Sequence, residues 1–139
     1  MKQISFVLSV LIALLAFSAI APTAQAGEFS YWDASAEQGE VIMKSTYSEE
    51  TIDANGWFNQ RFEVKVWGAR ANTKLEVAIN GHVIGVLITD ETGFGKFEKE
   101  KFNVPPNNQG RPDGPRIDTG DIVSLARGHR SIEAEFMPR

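Results

Sequence analysis

The 139-residue sequence has no cysteine, only two histidines and no excess of positive charge. The first absence excludes disulfides, cysteine nucleophiles, thiolate zinc sites and Cys-ligated iron–sulfur clusters. With only His82 and His129 present, a three-histidine metal site within one chain is excluded too. Neither histidine is set beside a serine, and the sequence has no Gly-x-Ser-x-Gly elbow for a hydrolase nucleophile. After Ala26 the chain carries 13 basic and 18 acidic residues, a net charge of −5. Nucleic acid is therefore not an expected partner, because duplex binding needs a basic footprint that neutralises phosphates. No convincing amphipathic helix and no repeat of fixed length follows Ala26, and the length fits a single domain.

What is present begins with an export signal. Lys2 makes a short positive start, residues 4–20 are uncharged and largely apolar, and Ala21-Pro22-Thr23 breaks a helix. Ala24-Gln25-Ala26 then places small residues where a signal peptidase needs them. The apolar run is shorter than the roughly 20 residues of a membrane span, and no positive stop-transfer flank follows it. With no cysteine after it, acyl anchoring is excluded. The expected product starts at Gly27, lies in the periplasm or the medium, and keeps no stable membrane insertion.

Three segments follow from this reading: a signal at 1–26, an irregular lead-in at 27–40, and a β domain at 41–139. The lead-in is polar and acidic with three aromatics, Phe29, Tyr31 and Trp32, and has no sustained period. From Val41 on, the dominant period is two, the mark of half-buried strands. In 58–67, Phe58, Phe62, Val64 and Val66 share one face with Gln60, while Arg61, Glu63, Lys65 and Trp67 share the other. Asn80-Gly81 between two apolar runs predicts a hairpin with a tight turn. A two-residue loop pairs Ile79 with His82, Val77 with Ile84 and Leu75 with Val86. Leu75, Val77, Ile79, Ile84, Val86 and Ile88 then form one apolar layer. Asp90-Glu91-Thr92-Gly93 turns the chain into 94–102, read as a third strand of the same meander. Residues 103–120 read as one long loop, and 121–126 and 131–136 as the last strands. Seven short strands with frequent turns predict an all-β antiparallel β-sandwich, with a small β-barrel as the alternative.

Four carboxylates, Asp90, Glu91, Asp118 and Asp121, stand at two turns. If the turns met, they would offer hard oxygen ligands to calcium or a pair of carboxyl groups for glycoside hydrolysis. Turn chemistry explains them without either, since Asp satisfies nearby backbone N–H groups and glycines flank them. No cofactor is expected. The binding candidates are Trp57 and Trp67, near opposite ends of one strand, because exposed aromatics stack on sugar rings and anchor interfaces. Arg111 and Arg116 join them. With Pro112 and Pro115 stiffening their loop, they form a cationic tip suited to carboxylate or phosphate recognition. A sandwich of this size is expected to leave little room for a buried pocket, so recognition falls to these outer surfaces.

The segment Leu75-Glu-Val-Ala-Ile-Asn-Gly-His-Val-Ile-Gly85, with Asp-Glu-Thr-Gly-Phe-Gly-Lys-Phe at 90–97 and Gly120-Asp121-Ile122-Val123, resembles a loose group of small exported bacterial β-sandwich, immunoglobulin-like domains. That resemblance spans roughly 58–136 and implies the fold and export, with no catalytic residue. The expectation is an exported, non-catalytic module that binds an envelope or extracellular protein or a polysaccharide. The rivals are a lectin-like carbohydrate- or calcium-binding domain and a small extracytoplasmic hydrolase. An inhibitor presenting the 111–116 loop to a protease is the weakest.

Overall fold

The structure, a computed structural model, describes residues 27–139, so the expected export signal at 1–26 lies outside the described residues. Among the described residues are nine strands: β1 (Phe29–Gln38), β2 (Val41–Thr51), β3 (Phe58–Trp67), β4 (Lys74–Ile79), β5 (His82–Ile88), β6 (Gly95–Val104), β7 (Ile122–Arg127), β8 (Arg130–Glu135) and β9 (Met137–Pro138). They form a five-stranded sheet, β6-β3-β2-β1-β9, and a four-stranded sheet, β5-β4-β7-β8. All pairings are antiparallel. The fold is the all-β sandwich that the period-two pattern predicts, with nine strands rather than seven.

The core lies between the sheets. In β3 the alternation is complete: Phe58, Gln60, Phe62, Val64 and Val66 are buried, and Trp67 at its end is exposed. Met43 and Tyr47 of β2 extend this layer, and Val77, Leu87, Val123, Leu125 and Phe136 face it from the other side. Period-two burial of this kind is what makes a two-faced sheet stable in water.

Four sequence expectations are corrected. The lead-in at 27–40 is mostly strand, since β1 pairs with β2 from Phe29↔Glu50 to Gln38↔Val41. Its buried side carries one large residue, Trp32, followed by alanines, so hydrophobic alternation is faint there. In the hairpin, Ile79 pairs with His82 as predicted, but the register slips between Val77 and Ala78, and Val77 pairs with Gly85. A one-residue bulge exchanges the faces of everything beyond it. Leu87 is therefore buried, while Val86 and Ile88 point to solvent. The bulge brings Gly85 beneath the Phe97 ring, where a Cβ would collide with the ring edge.

Strand β6 does not continue the meander. It pairs with β3 in the opposite sheet. The preceding turn is held to the β3–β4 connection, with Ala69 N donating to Gly93 O at 3.2 Å and Asn72 N to Asp90 O at 3.1 Å. That anchor delivers the chain to the free edge of β3. The long loop is folded onto the sandwich: Pro106 bridges to Pro112, and Pro112 and Ile117 are buried. The Asn107 side chain accepts from Gln109 N at 2.9 Å and Arg111 N at 3.1 Å, closing the loop's turn.

Candidate functional site

The sequence-predicted residues do not assemble into one site. Trp57 and Trp67 flank opposite ends of β3, about 30 Å apart at the rise of a strand. Both are about a third exposed, and Trp67 packs against Phe94 with ring centroids 5.6 Å apart. The carboxylates also separate. Asp90 belongs to the turn held at Asn72, while Asp121 accepts from Asn80 Nδ2 at 2.9 Å beyond the other end of β4. Asp90 caps its own turn, accepting from Thr92 N, Thr92 Oγ1 and Phe94 N. The Thr92 hydroxyl, then the Phe94 amide, hold its carboxyl below the usual range. Glu91 is exposed in the same turn. The two turns lie too far apart for one calcium site or one carboxyl pair.

Arg111 and Arg116 are not a free cationic tip. Arg111 donates through Nη1 to Asp118 Oδ1 at 2.7 Å and through Nη2 to both oxygens of Glu49 at 3.3 Å. Its guanidinium lies over the Trp32 ring, 5.3 Å from the centroid. Arg116 donates to Asp118 Oδ2 through Nε at 3.1 Å and Nη2 at 2.9 Å. Burial works to raise the Asp118 pKa, yet the hydrogen bonds from Arg111 and Arg116 outweigh it and hold the carboxyl below its ordinary value.

Glu49 extends this chain of polar groups inward. It is buried on the inner face of β2 and accepts the Tyr47 hydroxyl proton at 2.8 Å. Burial first, then the charge of Glu49, push the Tyr47 phenol far above its usual pKa, so it stays protonated. Tyr47 Oη in turn accepts from Gln60 Nε2 at 2.7 Å. The sequence Gln60–Tyr47–Glu49–Arg111–Asp118–Arg116 is one continuous network beneath the long loop. At its two ends, Gln60 Oε1 and Arg116 Nη1 are buried with no hydrogen-bond partner among the described residues.

Among the concave surfaces of the described residues, one of about 670 Å³ around Val41, Leu75, Leu125 and Ile132 holds none of the predicted site residues, and two others bear on function. The first is a cleft of about 290 Å³ bordered by the β4–β5 hairpin, β6 and the end of the long loop. Tyr47, Phe62, Ile79, Ile84 and Ile117 form its walls. Lys99 and Lys101 pair with Phe62 and Gln60 in the sheet register, so they stand on the inner face of β6 at the cleft mouth. A sandwich of this size is expected to leave little room for a pocket, and this space is just below the roughly 300–1,000 Å³ of small-ligand sites.

The second is a groove of about 380 Å³ across the outer face of the five-stranded sheet. Phe29 and Tyr31 on β1 stack with centroids 5.6 Å apart and planes inclined by 12°, forming one end. Phe102 on β6 forms the other end, and it is 62% exposed. The three strand spacings between β1 and β6 put the aromatic ends about 14 Å apart. Ser48, Glu50 and Asn59 floor the groove, and charged ladders border it. Arg61 bonds Glu98 and Glu100 at 2.7 and 2.6 Å, while Lys96 bonds Glu63 and Glu98 at 2.8 and 2.9 Å. Burial tends to raise the Glu63 pKa, but the ammonium groups of Lys65 and Lys96 bring it below normal. Lys96 chiefly, with Arg61, does the same for Glu98.

No protein-family model, curated protein or solved structure matches this chain. The reading of its function therefore rests on these surfaces.

Sequence reasoning missed the groove because Phe29 and Tyr31 sit in a segment without a clear period. The two are nevertheless two positions apart, which puts both rings on one face once a strand is recognised. Phe102 carried a signal of the same kind, an aromatic among alternating charges.

Proposed function

We propose that this protein is an exported, non-catalytic binding module that holds a polysaccharide of the cell envelope or its surroundings in the outer groove. The observation that carries the reading is the pair of exposed aromatic ends separated by a polar floor. Aromatic faces accept the C–H faces of sugar rings, while carboxylate, amide and hydroxyl groups between them meet the sugar hydroxyls. A span of about 14 Å suits a short run of sugars rather than a single ring.

The acids bordering the groove support binding over hydrolysis. A general acid in a glycosidase works with a raised pKa, and Glu63, which lines the groove, is shifted the opposite way by Lys65 and Lys96. The resemblance to small exported β-sandwich domains and the export signal belong to the same reading. Intact-mass measurement of protein recovered outside the cytoplasm should give a chain beginning at Gly27, and retention of residues 1–26 would overturn the export part.

Binding is tested by co-sedimentation with cellulose, chitin and peptidoglycan sacculi. At least one should retain the protein. A Tyr31→Ala, Phe102→Ala variant with unchanged melting temperature should lose about tenfold or more in affinity. Trp67→Ala, away from the groove, should bind as the parent does. Failure of the parent to bind all three, or undiminished binding by the double variant, overturns the proposal.

A further inference from the structure

The cleft between the sheets has a composition unlike the rest of the molecule. The protein is acidic overall, with 18 Asp and Glu against 14 Lys and Arg, yet no carboxylate lines this cavity. Its interior is aromatic and aliphatic, while His82, Lys99, Lys101 and Arg116 stand along its margin. Most cations near the opposite face of the same sheet are neutralised: Arg61, Lys65 and Lys96 all have carboxylate partners within 3 Å. Lys99 and Lys101 have no ion-pair partner among the described residues.

Arg116, on the cleft wall, is already paired with Asp118 at 2.9 Å. The cationic charge open to the cleft is therefore that of Lys99 and Lys101. The cavity volume, about 290 Å³, is just below the roughly 300–1,000 Å³ that drug-sized ligands occupy, which suits a smaller molecule.

We propose that the cleft binds a small free amphipathic anion, a short alkyl or aryl carboxylate. Its apolar part lies against Phe62, Ile79, Ile84 and Ile117, and its charged head meets Lys99 and Lys101 at the opening. This site is separate from the outer groove and does not depend on the polysaccharide reading. The competing account is that Lys99 and Lys101 point inward only to protect the β6 edge from pairing with other chains. That account needs no ligand and gives the cleft no preference for charge.

Octanoate, octanol and octylammonium separate the two. Titrating each into the protein while following amide and methyl NMR signals should show saturable octanoate binding centred on Ile79, Ile84 and Ile117. Octanol should bind about tenfold or more weakly, and octylammonium more weakly still. A Lys99→Gln, Lys101→Gln variant, altered only at exposed side chains, should keep its melting temperature and lose most of the preference for octanoate over octanol. Added salt should reduce octanoate affinity and leave octanol unchanged, as screening requires. Equal binding of octanoate and octanol, a preference that survives the double variant, or no saturable octanoate binding each overturns the proposal. Polysaccharide retention by the same double variant should match the parent, which keeps the two sites experimentally distinct.

Discussion

Glu49 is a carboxylate on the inner face of a core strand, only 4% exposed. A charge removed from water in this way is tolerated only when it is paired and hydrogen-bonded. Here Tyr47 Oη and Arg111 Nη2 supply the bonds. Arg111→Ala should therefore act as a folding mutation, costing about 3 kcal/mol or more because it strands a buried charge. Chemical denaturation checks this, and a loss below about 1 kcal/mol would show that water or another group replaces the guanidinium. Asp118 adds a pH dependence. Its pKa is lower folded than unfolded, so its contribution is complete above the ordinary carboxylate pKa of about 4 and fades as pH falls below it. Melting temperatures of the parent and Asp118→Asn should differ near neutral pH and converge toward pH 3. A gap independent of pH would mean that the charge of Asp118 is not what matters. None of this was legible beforehand. Glu49 and Arg111 are 62 positions apart, and a buried Glu on an alternating strand looks the same as an exposed one until its partner arrives.

At the scale of elements, the strands rich in β-branched and aromatic residues were readable and those dependent on tertiary context were not. The bounds of β3 follow directly from its alternation, and the Asn80-Gly81 turn stands where its backbone preferences put it, both residues having positive φ. The β4–β5 register was not readable, because the bulge accommodates Phe97, a side chain delivered by a strand of the other sheet. The consequence is a reversal of expected sensitivities. Leu87→Ala should cost about 2–5 kcal/mol as a core truncation, whereas Ile88→Ala should cost about 0.5 kcal/mol or less. Equal losses in thermal melts would restore the unbulged register. Two glycines give a further contrast. Gly93 has φ +81°, and a Cβ there would strike the Ala69 carbonyl; Gly81 has φ +78° with open space around it. Gly93→Ala should therefore be clearly more harmful than Gly81→Ala, which carries only the roughly 1–2 kcal/mol of a left-handed backbone.

At the scale of the molecule, the chain crosses between the two sheets four times, from β3 to β4, β5 to β6, β6 to β7 and β8 to β9. The last crossing returns the final strand to the first: Trp32 pairs with Pro138 and Asp33 with Met137, and Arg139 N donates to Tyr31 O at 3.0 Å. β1 thus has one neighbour adjacent in the chain and another separated by nearly its whole length. This ordering has a kinetic meaning. Contacts between distant segments carry the largest loop-closure cost, and sandwiches dominated by them fold in milliseconds to seconds. Docking of β9 on β1 should come after the rate-limiting step, once the β1–β2–β3 hairpins and the β4–β5 hairpin have made the surfaces that β9 closes. Deleting residues 137–139 should then accelerate unfolding in stopped-flow denaturant jumps and leave the refolding rate nearly unchanged. The seam that closes last is also the seam that opens first, so the short β9 strand is where unfolding of the sandwich begins.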